Sequence, residues 1–112
     1  MLFVFLYHKT THRVVYDSMK AVFPEAGEVI LWNERGEVTE GTFTNVVISK
    51  NGRKITPPIS CGLLGGTFRA HLLKTGEIEE GLIMLADLKS ADEVWLVNSV
   101  RKWQKTVLGG LE

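Results

Sequence analysis

The dipeptide Asn51-Gly52 constrains this chain more than any other feature. It stands between two strand-length runs, residues 44–50 and 53–56, the first of them rich in β-branched side chains. A two-residue hairpin turn of type I′ needs positive φ at both central positions, and Asn-Gly adopts it at little cost, so the two runs predict an antiparallel hairpin. Pro57-Pro58 ends the pairing, because proline has no N–H to give a ladder.

Immediately before the first run come Glu40, Gly41 and Thr42. A carboxylate at the mouth of a buried apolar strand is costly unless something charged or hydrogen-bonding meets it. Glu40 is therefore either a solvated turn residue or the holder of a cation.

The remaining elements follow from periodicity and punctuation. Residues 2–8 make an apolar run of strand length, and Thr10 or Thr11 can cap a helix over 11–22 that Pro24 and Gly27 stop. A strand over 29–32 turns through Asn33-Glu34-Arg35-Gly36 into a returning partner at 37–39. A loop over 59–66 leads to a helix from Thr67 to about Thr75, ended by Gly76. A strand at 78–82, a helical turn at 85–88 and a last strand at 93–97 complete the reading. Such an order predicts one α+β domain dominated by antiparallel strands.

At 112 residues the chain holds a single core but is small for an enzyme with a closed pocket of its own. Its 13 basic and 13 acidic residues cancel, which argues against nucleic acid or an anionic membrane as partner. The apolar opening of seven residues lacks a basic flank and is too short to span a bilayer, so it reads as a strand. Cys61 is the single cysteine, which excludes a disulfide framework and fits a reducing, cytoplasmic setting. It reads as a small structural residue in a glycine-rich turn.

Several residues could carry chemistry. Gly65-Gly66 precede a helix whose free N–H groups can hold an anion, with the Thr67 hydroxyl adding a donor; a plain tight turn is the competing reading. Lys9 follows a buried run, where burial would favour its neutral amine as a nucleophile towards an aldehyde. His8 and His12 lack metal-ligand spacing. Ser99, after Val97-Asn98, can donate to a second anion oxygen or can simply end a strand. Trp32, Trp95 and Trp103 read as packing residues.

A lysine for an aldehyde, a carboxylate for a protonated ring nitrogen, and a helix start with hydroxyls for a phosphate together describe pyridoxal 5'-phosphate (PLP). The pattern His8-Lys9-Thr10-Thr11-His12-Arg13, then Asn33 to Asn45, Thr56-Pro57-Pro58, Gly65-Gly66-Thr67-Phe68-Arg69 and Ala91-Asp92-Glu93-Val94 resembles the class IV aminotransferase family, the fold-type IV PLP enzymes. Within it, the Lys-Thr-Thr-x-Arg opening is similar to the aminodeoxychorismate lyase branch, in particular the lyase half of fused para-aminobenzoate synthase component I.

The resemblance implies a mostly antiparallel sheet curling into a partial barrel with short flanking helices. It makes Lys9 the lysine that bonds the cofactor and Glu40 the partner of its ring nitrogen. Gly66, Thr67, Phe68 and Ser99 would hold the phosphate, with Arg13, Thr42, Thr44 and Asn45 as ordering residues nearby. It further implies that the chain corresponds to a C-terminal, PLP-binding domain without the family's N-terminal domain, pairing with such a domain or with itself as a homodimer. The activity implied is conversion of 4-amino-4-deoxychorismate to 4-aminobenzoate and pyruvate, in folate biosynthesis. A branched-chain or D-amino-acid aminotransferase, or a non-catalytic remnant that folds and dimerises, are the alternatives.

Overall fold

In the computed structural model, backbone is described for residues 2–8, 28–41 and 44–110, and side chains for 29–41 and 44–106. The helix expected at 11–22 lies outside the described residues, as do Lys9, Arg13 and Thr42.

Eight strands are described: β1 (Leu2–His8), β2 (Glu28–Trp32), β3 (Val38–Gly41), β4 (Asn45–Lys50), β5 (Arg53–Thr56), β6 (Glu79–Glu80), β7 (Glu93–Asn98) and β8 (Lys102–Gly110). Two α-helices accompany them, α1 (Thr67–Thr75) and α2 (Leu85–Ser90), with a 3-10 turn at Ile59–Cys61. The strands form one sheet in the order β3-β2-β1-β8-β7-β4-β5-β6. One further pairing, Glu40 with Asn45, joins β3 to β4 and curls the sheet back on itself. Most pairings are antiparallel; β1 runs parallel to both β2 and β8, and β5 to β6. The fold is α+β, as expected.

The Asn51-Gly52 hairpin forms as the sequence predicts. Asn51 has φ 53° and Gly52 φ 79°, the left-handed pair such a turn requires, and Ile48, Ser49 and Lys50 face Ile55, Lys54 and Arg53 across it. The α1 boundaries also match, with Gly76 at φ 80° taking the last carbonyls of the helix.

Three expectations change. The strand expected at 78–82 shrinks to Glu79–Glu80, because Ile78 and Ile83 point into separate apolar clusters and the chain between them is mostly exposed. The partner of β2 runs on to Gly41, which brings Glu40 into β3 rather than into the turn before β4. And 93–97 is not the last strand: β8 follows it, filling the sheet between β7 and β1.

β4 is the buried spine. Its alternating side chains serve two apolar clusters: Val46 and Ile48 pack with Ile30, Val38, Ile83, Leu88, Val94 and Leu96, whereas Val47 packs with Leu72, Ile78 and Val97 beneath α1. Trp95 and Trp103 meet edge-to-face at 5.4 Å between ring centres and border the second cluster. A strand buried on both faces reads as continuous hydrophobics, which explains the unbroken Val-Val-Ile run.

Candidate active site

The β3–β4 register creates the site. Glu40 and Asn45 are directly opposed across that pairing, and opposed residues present their side chains on the same face. The Gly41 N–H donates to the Thr44 carbonyl at 3.0 Å and closes the corner. The sheet then brings in a second loop, because Asn45 pairs with Val97 of β7, one residue before the Asn98-Ser99 turn into β8. In that turn the Asn98 Oδ1 accepts the Arg101 N–H at 2.7 Å.

The third component is the loop that leads into α1. Asn45, 4 % exposed, stitches it down with both ends of its amide. Its Nδ2 donates to the Leu64 carbonyl at 2.9 Å and its Oδ1 accepts the Gly66 N–H at 3.0 Å. The Leu64 N–H donates to Glu40 Oε1 at 3.0 Å, so carboxylate, amide and loop form one unit. A Cβ on Gly66 would stand 3.0 Å from the Asn45 Oδ1, so any larger residue would push on the amide that holds the loop.

Gly66 is the N-cap of α1 and brings no capping side chain. With its N–H taken by Asn45, the next three amides, of Thr67, Phe68 and Arg69, have no acceptor inside the helix. The helix end carries a partial positive charge, and no acidic residue stands in its first turn. The Thr67 and Ser99 hydroxyls are hydrogen-bonded to each other at this end.

These parts surround a cleft of about 470 Å³, lined by Glu40, Thr44, Asn45, Gly66, Thr67 and Ser99 together with Leu64, Gly65, Asn98 and Val100. Most of the residues singled out in the sequence thus meet in one place. Phe68 does not line it with its side chain: the ring turns to the apolar cluster under α1, edge-on to Trp103 with 6.5 Å between centres, and carries the Lys102 ammonium 5.0 Å from its centre. What the sequence left unassigned is Leu64, Asn98 and Val100 as lining, and the clamping role of Asn45. A polar residue opening a buried apolar strand, opposite a carboxylate in register, was the available signal for the latter.

Cys61 lies away from the cleft. It is buried, and burial together with the neighbouring Glu37 charge pushes its thiol up, which keeps it protonated. Its carbonyl accepts the Asn33 amide at 3.1 Å, tying the 3-10 turn to the β2–β3 turn.

A corner carboxylate, a helix start without a capping side chain and two hydroxyls thus stand around one cleft. The chain belongs to the amino-transferase class IV family, whose model matches residues 2–106. Among curated proteins, it is 43 % identical over 108 residues to the "Putative aminodeoxychorismate lyase" of Schizosaccharomyces pombe, an alignment spanning 90 % of this chain and 47 % of that protein. It is 45 % identical over 78 residues to the aminodeoxychorismate lyase of Saccharomyces cerevisiae, spanning 65 % of this chain and 21 % of that one. Among solved structures, a "Putative amino-acid aminotransferase" from Mesorhizobium loti superposes with a TM-score of 0.81 at 34 % identity, covering 96 % of this chain and 60 % of that one. The chain thus spans about half the length, or less, of the curated relatives named here. Among the described residues, no helix is long and apolar enough to cross a membrane.

Proposed function

We propose that this chain forms the PLP-binding part of a 4-amino-4-deoxychorismate lyase, releasing 4-aminobenzoate and pyruvate. The observation that carries the reading is the convergence of Glu40, the α1 start and Ser99 on one cleft. The donor set suits the cofactor: open amides and hydroxyls match a phosphate, and a carboxylate matches a protonated pyridine nitrogen. The resemblance of the Lys-Thr-Thr-x-Arg opening, and the lyases of S. pombe and S. cerevisiae among its relatives, favour the lyase over other members of the family.

In this reading the Thr67 and Phe68 amides and the Ser99 hydroxyl hold the phosphate. Glu40 keeps the proton on the ring nitrogen, and its Leu64 hydrogen bond fixes the carboxylate's direction. Asn45 holds Leu64 and Gly66 at the spacing that lets Glu40 and the helix start act on the two ends of one molecule. Lys9, next after the last residue of β1, bonds the cofactor and, as a free neutral amine, takes a proton from the substrate ring and returns one to the departing pyruvate. When bound, PLP supplies the electron sink that this chemistry needs. Arg13, Thr42 and Thr44 order the surroundings.

A branched-chain or D-amino-acid aminotransferase would use the same residues, and the M. loti relative's name favours keeping that second reading. Turnover distinguishes them. The lyase releases 4-aminobenzoate from 4-amino-4-deoxychorismate with PLP and no 2-oxo acid; turnover that requires a 2-oxo acid as amino acceptor would refute it. A chain that folds and dimerises without forming any PLP absorbance band would refute both. The partner in catalysis is either a second copy or a domain of the family's N-terminal type, and the compartment is the cytoplasm.

A further inference from the structure

The cleft presents one charged side chain among its described lining residues, and that charge, on Glu40, is negative. Among the described lining residues, no lysine or arginine would stand beside a phosphate at the α1 start. We propose that Arg69, from behind the wall of the cleft, supplies positive charge to this anion site and sets its strength. The inference rests on the reading of the α1 start as a phosphate site.

Arg69 is the third residue of α1 and only 3 % exposed. A cation there is opposed twice, by the positive end of its own helix and by removal from water. Its Nη2 donates to the Pro57 carbonyl at 3.0 Å and to Glu80 Oε2 at 2.6 Å, while its Nε is buried without a partner. The Glu80 side chain is 48 % exposed, so water weakens its hold on a guanidinium that is itself dry. The positive charge is incompletely offset.

Gly65 shows where that charge is felt. A Cβ on Gly65 would stand 3.2 Å from Arg69 Nη1 and 3.1 Å from Ile59 Cδ1, and Gly65 itself lines the cleft. Gly65 thus stands against the guanidinium and also lines the cleft. A cation held beside Gly65 reinforces the helix end and its first amides as an anion holder. The Pro57 bond also fastens the end of β5 to the first turn of α1, keeping the wall in position.

Inorganic phosphate, titrated into the full chain and followed by the backbone amide shifts of Thr67 and Phe68, tests this. The wild-type chain should bind with shifts centred on those amides. R69M should weaken that affinity roughly three- to tenfold, the size of one charge acting through protein at short range, and R69K should recover part of the loss. E80Q should strengthen binding, since it keeps a hydrogen-bond acceptor for Arg69 but removes the opposing charge. Should R69M fail to fold, E80Q decides: tighter binding supports the proposal, and unchanged or weaker binding overturns it, as expected of a purely mechanical strut. Wild-type binding that R69M leaves intact overturns this inference alone. Absence of any wild-type shift at Thr67 and Phe68 removes the phosphate site and the inference together.

Discussion

Each of the two described helices is pinned to the sheet by one fully buried leucine, Leu72 in α1 and Leu88 in α2, yet their first turns are finished in opposite ways. α2 closes its own start. The Asp87 carboxylate accepts the Met84 N–H at 2.9 Å, sits in the positive end of the helix, and pairs with Lys50 at 3.1 Å. α1 begins with a glycine, has no acid in its first turn and carries a buried arginine there instead. By the ordinary economy of helix ends, α1 is the poorer construction. In the proposed reading, the unfinished start of α1, facing the cleft, is the place kept for a ligand's charge, whereas the finished start of α2 is structural only.

The comparison can be strained in order of effect. Leu72→Ala and Leu88→Ala should each cost about 2–5 kcal/mol in chemical denaturation, the range for emptying a buried leucine site. A large inequality between them would show that the helices are not anchored alike. Thr67→Asp gives α1 the kind of first-turn carboxylate that α2 has. It should leave the fold intact, or stabilise it by about 0.3–1 kcal/mol, while weakening phosphate binding by roughly tenfold or more, the value of one charge-assisted contact. If phosphate affinity survives that change, the α1 start is not the anion site. Asp87→Ala should cost about 1 kcal/mol, typical of a lost helix cap, with phosphate affinity unchanged.

The smallest expected effect is a pH dependence. The Asp87 carboxyl is held below its usual range, first by the Met84 N–H and then by Lys50. Glu37 is lowered likewise, by the Asn33 amide and then by Arg35. A lowered carboxyl contributes stability that is complete above its unfolded pKa of about 4 and is lost as pH falls through the folded value beneath it. Acid titration of stability should therefore be shallower in Asp87→Asn than in wild type below about pH 4, with the two curves parallel at neutral pH.

How far the sequence could be read depended on whether the information was local. The β4–β5 hairpin and α1 were legible because Asn51-Gly52 and Gly76 are turn chemistry written in adjacent residues. β8 was not, because Lys102, Gln104 and Lys105 give it a polar opening and Gly109-Gly110 a poor strand ending. Its place between β7 and β1 is decided by tertiary pairing. The same limit applies to the site. Glu40 stood out as a carboxylate beside an apolar strand, but the clamp of Asn45 on Leu64 and Gly66 spans 19 and 21 residues and depends on where the sheet folds the loop. Arg69 looked like an ordinary helix residue until its burial behind Gly65 was known.

The central claim is that the cleft beside α1 serves PLP, with Lys9 as the residue that bonds it. Borohydride reduction of the chain incubated with PLP, followed by mass mapping of its peptides, tests that claim most directly. The account predicts the label on the peptide containing Lys9, with Thr67→Asp reducing its yield. Label found mainly on Lys50, Lys54 or Lys102 would contradict it.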